Sequence, residues 1–106
     1  MSDQVPVYSV TDNEARGRFE LDLGGATAFI DYYRIGDVRV LTHSEVPLGL
    51  RGRGIGARLV AGTLELIRSQ HGQVAPRCAF VALFMKRHPE YAELLAPAGS
   101  TPRAPR

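Results

Sequence analysis

Gly49, Gly52, Gly54 and Gly56 fall within eight residues, with Arg51 and Arg53 between them and Arg58 just after. Glycine loses more backbone freedom on folding than any other residue, so a purely structural turn seldom needs four. Such a run permits close approach of the backbone to something else. If a helix begins where the loop ends, its unpaired N–H groups and positive dipole end form an anion site, to which the arginines add charged donors. A phosphate or pyrophosphate suits that chemistry; the plainer alternative is a strand-to-helix connection with solvated arginines. A Walker A loop is excluded, because Ile55-Gly56 stands where Lys followed by Ser or Thr is required. Gly52, Gly54 and Ala57 satisfy GxGxxA, but the repeated βαβ units of a dinucleotide fold are missing, so that match reads as accidental. The single cysteine, Cys78, excludes an internal disulfide and a multi-cysteine zinc site, agrees with a reducing compartment, and leaves one thiol for chemistry.

The elements that must position these groups can be read along the chain. At 106 residues, with 44% hydrophobic and 23% charged residues, one small folded domain is expected. No apolar run approaches the roughly 18 residues of a membrane span and no signal-peptide pattern opens the chain, so a cytoplasmic protein is expected. The net charge of +2 disappears if Arg103 and Arg106 are set aside, and the aromatic residues are not interleaved with basic ones. A nucleic-acid-binding face is therefore not indicated. Phe19, Leu21 and Leu23 alternate with Glu20 and Asp22 as in a half-buried strand. Gly24-Gly25 reads as a hairpin turn, residues 26–34 as a second strand, Gly36-Asp37 as another turn and residues 38–46 as a third strand ended by Pro47. Connections this short require an antiparallel meander. The period then changes: Gly56, Leu59, Val60, Thr63, Leu64 and Ile67 have helical spacing, with Gly72 suited to the C-terminal cap. Residues 79–85 read as a buried strand running into a helix, and Pro89 opens a final helical turn carrying Tyr91, Leu94 and Leu95. Residues 1–15 form an N-terminal segment with a possible edge strand, 16–96 the domain, and 97–106 a disordered basic tail.

Arg51-Gly52-Arg53-Gly54-Ile55-Gly56 resembles the (Arg/Gln)-x-x-Gly-x-(Gly/Ala) pyrophosphate loop of the GNAT superfamily of acyl-CoA-dependent N-acyltransferases. With Thr42-His-Ser-Glu-Val-Pro47 before it, and Pro76-Arg-Cys-Ala-Phe80 and His88-Pro-Glu-Tyr91 after it, the chain is similar to the minimal GNAT-like subfamily over most of residues 16–95. The resemblance implies a compact α+β fold, mostly antiparallel sheet, with one long helix after the loop and a short C-terminal helical segment. It implies acetyl-CoA as the only cofactor, no metal, and an amine acceptor that is a protein or a small molecule. Val46 and Leu48 match the positions whose backbone pairs with the pantetheine arm, and Arg51, Gly52, Arg53, Gly54, Ile55 and Gly56 those that hold the pyrophosphate. The two helices that wall the acceptor site in larger members have no counterpart here, which implies an open cleft or recognition of a protein surface.

Acyl transfer to an amine needs a proton acceptor, a polarised thioester carbonyl and a donor for the departing thiolate. Leu41, His43 and Glu45 share one strand face by the period of two, so His43 or Glu45 can serve as the general base. The alternative is that Glu45 pairs with an arginine such as Arg39 while His43 packs. Cys78 matches a subfamily cysteine on the strand after the long helix, beside the acetyl end, where it is either a nucleophile or a small apolar residue. Tyr91 could protonate the thiolate, as a tyrosine does in larger GNAT enzymes, or anchor the last turn; Lys86, Arg87 and His88 meet the CoA phosphates or keep their helix soluble. The reading is an acetyl-CoA-dependent N-acetyltransferase working by direct transfer in a ternary complex. Its alternative is a non-catalytic CoA-binding or protein-interaction module.

Overall fold

In the computed structural model, which describes residues 10–97, Phe19 and Leu21 point into the protein and Glu20 and Asp22 away from it, as the alternation demands. Their cross-strand partners, Ile30 and Ala28, are equally buried, so one face of the sheet is apolar from the first hairpin onward. Five strands form this sheet in sequential order: β1 (Val10–Asn13), β2 (Arg18–Asp22), β3 (Thr27–Ile35), β4 (Val38–Glu45) and β5 (Gln73–Pro76). The first four are antiparallel, and β5 joins β4 in parallel after the helical crossover. The expected meander is present and β1 supplies its edge. Tyr32 ties that edge down by donating its hydroxyl to Asp12 Oδ1 at 2.6 Å. Val5, Val7 and the tail from residue 98 lie outside the described residues.

Helix α1 (Ile55–Ser69) buries Ile55, Leu59, Val60, Thr63, Leu64 and Ile67 against that apolar face. Helix α2 (Ala79–Arg87) adds Val81, Phe84 and Met85, and a 3-10 segment (Pro89–Leu94) adds Tyr91 and Leu94. A single core on one side of the sheet results, with a small second cluster of Val38, Val40 and Ala75 on the other side. Residues 79–85 are therefore not a strand: the spacing of Val81, Phe84 and Met85 is helical, and the parallel strand is the four-residue segment before them. So short a strand, with only Val74 and Ala75 buried, carries no readable period.

The end of α1 also differs from expectation. His71, at φ 59°, takes the left-handed position, while the His71 and Gly72 N–H groups donate to the Arg68 and Ile67 carbonyls, each at 3.0 Å, in a Schellman cap. Gly72 is required for another reason: a Cβ there would collide with the Arg39 guanidinium. Arg39 is only 3% exposed and donates to Gln70 Oε1 at 2.8 Å and to the Asp37 carbonyl at 3.1 Å. It clamps the start of β4 to the end of α1, and it does not pair with Glu45.

A bulge in β4 decides where the polar residues go. Asp31 faces His43 and Tyr32 faces Leu41, so Thr42 is an extra residue without a partner. Across it the alternation shifts: Leu41 is buried in the core, Ser44 opposes buried Ile30 on the same face, and His43 and Glu45 turn to the outer face. The expected sharing of one face by Leu41, His43 and Glu45 fails for this reason. Beside the bulge the β4–β5 ladder ends at Leu41 and Pro76, and the Leu41 carbonyl accepts both the Arg77 and Cys78 N–H groups at 2.9 Å. Beyond that point β4 continues without β5. Gly72→Ala is expected to lower stability by about 1–3 kcal/mol through overpacking against Arg39, whereas Gly49→Ala, with open space around it, should stay within about 0.5 kcal/mol. Urea unfolding followed by circular dichroism measures both.

Candidate cofactor groove and active site

After β4 the chain makes one 3-10 turn (Leu48–Leu50) and passes through residues 51–54 into α1. Gly52 and Gly54 adopt φ of 82° and 76°, conformations costly for any other residue, and Gly54 is the N-cap of α1 without a side chain to cap it. The first bond into the helix runs from Arg58 N–H to the Gly54 carbonyl at 3.1 Å. The N–H groups of Ile55, Gly56 and Ala57 consequently have no acceptor within the helix. Gly56 has a different role from its neighbours: a Cβ there would lie 2.8 Å from Cζ of Phe80, whose ring packs directly against the helix backbone.

Between this helix start and the free end of β4 lies a groove of about 470 Å³. Of the residues expected from sequence, Glu45, Val46, Arg51, Gly52, Gly54, Ile55 and Gly56 line it. Arg51 crosses its mouth, donating Nε–H to the Val46 carbonyl at 3.3 Å. Leu48 does not line the groove and is 77% exposed on the 3-10 turn, and Arg53 is exposed outside the lining. Ser44, Leu50, Ala57 and Phe80 also line the groove and escaped the sequence reading. Only Phe80 had a signal, as the last residue of Pro76-Arg-Cys-Ala-Phe80; the others are placed by the bulge and by the turn into α1.

Where β4 leaves β5, Ser44 Oγ and Cys78 Sγ are 3.4 Å apart. Cys78 is not on a strand: it is the N-cap residue of α2, in extended conformation at φ −78° and ψ 127°. Burial by itself would push its thiol up, but hydrogen bonds from Ser44 and from the Val81 and Phe80 backbone outweigh this and hold the pKa below its ordinary value. On the opposite face of β4, His43 Nε2 and Glu45 Oε1 are 3.1 Å apart, both side chains more than half exposed. The split thus has a thiol on the core side and an imidazole–carboxylate pair on the outer side.

A family model described as GCN5-related N-acetyl-transferase matches residues 18–94. The chain belongs to this family. Among solved structures, the NMR structure of a GCN5-like protein from Staphylococcus aureus aligns with a TM-score of 0.60 and 18% identity, covering 91% of this chain and 95% of that one. At that identity the likeness concerns the fold, and it agrees with the α+β GNAT architecture. Among the described residues no cluster of His, Cys, Asp or Glu could hold a metal ion, and no helix is long and apolar enough to cross a membrane.

Tyr91, which larger GNAT enzymes suggested as a proton donor, is not in the groove. Its hydroxyl donates to Glu65 at 2.9 Å, Arg68 lies over its ring at 5.0 Å, and burial followed by the Glu65 hydrogen bond raises its pKa. It anchors the 3-10 segment to α1 and borders a second groove with Phe84 and His88. For Cys78, alkylation by iodoacetamide should rise with pH through a midpoint below that of the unfolded chain. Ser44→Ala should move this midpoint upward, because a hydrogen bond that favours the thiolate is lost; an unchanged midpoint would assign the shift to the backbone N–H groups of Ser44, Phe80 and Val81.

Proposed function

We propose that the protein is an acetyl-CoA-dependent N-acetyltransferase that acylates an amine acceptor directly, in a ternary complex. The observation that carries this reading is the uncapped start of α1 at the mouth of a groove that ends where β4 parts from β5. The residues present fit the cofactor. Unpaired N–H groups of Ile55, Gly56 and Ala57 suit a diphosphate, and Arg51 adds a cation on the rim. Gly54 leaves the helix end bare of any side chain. Along β4, the edge from Thr42 to Val46 has lost β5 as a partner and can offer ladder donors and acceptors to the amides of the pantetheine arm. Leu48, inside the 3-10 turn, cannot extend that ladder.

When bound, the thioester supplies an activated acyl group. The protein must still take a proton from the amine as the N–C bond forms and the C–S bond breaks, and with Tyr91 outside the groove the departing thiolate takes its proton from solvent. With His43 Nε2–H donating to Glu45, Nδ1 is the free acceptor, and the imidazolium formed by protonation is held by the carboxylate 3.1 Å away. This pair lies on the face of β4 opposite the thiol, and Glu45 also lines the cofactor groove, so an acceptor on the outer face meets the cofactor there. The open outer face admits an amine on a protein surface as readily as a small molecule. Cys78 has no required part in direct attack, and the single free thiol suits a cytoplasmic setting.

The exposure of His43 and Glu45 favours one second reading, a CoA-binding module without turnover. Calorimetry with acetyl-CoA should give binding that weakens at least about tenfold in Gly54→Val, since a β-branched residue cannot hold φ of 76° and covers the helix end. Thiol release with mixed amines and peptides then decides between the readings: turnover lowered roughly a hundredfold in Glu45→Gln supports the transferase, and binding without release supports the module. Cys78→Ala should leave turnover intact, with no acyl adduct on the wild type by mass spectrometry; an adduct and a dead variant would replace direct attack by a cysteine-bound intermediate.

A further inference from the structure

On the outer face of the sheet the cross-strand register sets two rows side by side. One is Arg18, Asp31 and His43; the next is Glu20, Phe29 and Glu45. Directly opposite residues share a face, so all six stand on the side away from the main core. Phe29 is the member that packing of the core does not explain. Among the described residues it belongs to neither apolar cluster, and it is only partly buried, with the Arg18 guanidinium 4.2 Å from its ring centroid and the His43 ring 6.4 Å away. Arg18 is itself held by Glu20 at 2.9 Å, so the remaining charge of the face belongs to Asp31 and Glu45, with Asp22 in the row beyond. The rest of the chain has the opposite sign: from Val46 to Pro89, Glu65 is the only acidic residue against seven arginines and lysines.

We infer that the acceptor is a lysine side chain in a basic protein segment, its stem laid across Phe29 and its amine delivered to His43 and Glu45. This rests on the transferase reading and names the acceptor. Glu45 is both the cross-strand neighbour of Phe29 and a wall of the cofactor groove, so a chain that crosses the ring ends beside that groove. An unbranched lysine stem offers apolar surface to the ring while its head reaches the polar pair. Cationic residues flanking the lysine meet Asp31 and Asp22. An acidic segment, or a second copy docked face to face, would instead bring carboxylate against carboxylate. Access alone admits a small amine, but recognition does not favour one: His43 and Glu45 are 58% and 54% exposed on a sheet surface, where a small ligand stays largely in water. A protein segment gathers contacts along both rows. The division of charge thus suits both reactants, the basic part of the chain a polyanionic cofactor and the sheet face a cationic acceptor.

The test uses short acetyl-capped peptides with one central lysine flanked by arginines, serines or glutamates, and cadaverine as the small amine. Fluorescence anisotropy of labelled peptides in the presence of CoA reads docking, and thiol release from acetyl-CoA reads transfer. The arginine-flanked peptide should bind and react at least about tenfold better than the glutamate-flanked one, with the advantage shrinking as salt is raised. Asp31→Asn should weaken the arginine-flanked peptide about threefold and leave the glutamate-flanked one no weaker. Phe29→Ala should raise KM for the lysine peptides about fivefold with kcat held within about twofold, and Phe29→Tyr should restore most of the loss by keeping the ring. Acetyl-CoA affinity by calorimetry should be the same in all three variants, and Asp31→Asn carries the test if Phe29→Ala does not fold. Equal use of the three peptides, a preference for glutamate flanks, faster turnover of cadaverine than of any peptide, or an unchanged KM in Phe29→Ala would overturn the acceptor assignment and leave the transferase reading standing. Binding of the arginine-flanked peptide without thiol release from any amine would uphold the docking surface while sinking the transferase reading; neither binding nor release would sink both.

Discussion

The Leu41 carbonyl accepts two N–H groups, from Arg77 and Cys78, and the sheet stops closing at that atom. A parallel pair normally continues its ladder as far as both strands run. Here the chain after β5 spends its next donors on one acceptor and turns at once into α2, while β4 carries the extra residue Thr42 and continues alone. The consequence, among the described residues, is a strand edge without a sheet partner beside a helix start. Such an edge is an aggregation hazard on a bare surface; here its end lines the groove beside the start of α1 and suits an extended ligand.

The core keeps that geometry in place. Its main cluster lies on one face of the sheet, so α1 and α2 both dock there, and their starts converge on the split. The contact of Phe80 with the bare backbone at Gly56 brings the two helices close at that end. At the other end Arg39, buried and with no carboxylate partner among the described residues, relies on Gln70 and the Asp37 carbonyl, and joins α1 to β4. Losing those acceptors would leave a buried charge unsatisfied, so this clamp is sensitive to small changes around it.

The same geometry distributes the chemistry. A strand without the bulge would put His43 and Leu41 on one face, burying the imidazole or exposing the leucine. With Thr42 inserted, the strand supplies Ser44 to the thiol side and His43 with Glu45 to the outer side. One short segment therefore serves both faces of the split.

Local patterns carried much of this architecture in the sequence itself. The alternation in Phe19 to Leu23, the Gly24-Gly25 and Gly36-Asp37 turns, and the helical spacing from Gly56 to Ile67 depend on a residue and its near neighbours, so they survive translation from sequence to fold. The glycine–arginine loop was legible for the same reason: Gly52 and Gly54 are demanded by the backbone angles at those positions. Features that depend on contacts between distant segments were not. Whether Gly72 caps a helix or makes room for Arg39, whether Cys78 sits on a strand or caps a helix, and which face His43 takes are decided by β5, α2 and the bulge. A strand of four residues and a single inserted residue leave no periodic trace, because a period needs several repeats to be read, whereas hydrogen bonds across the sheet need only one residue to be in place.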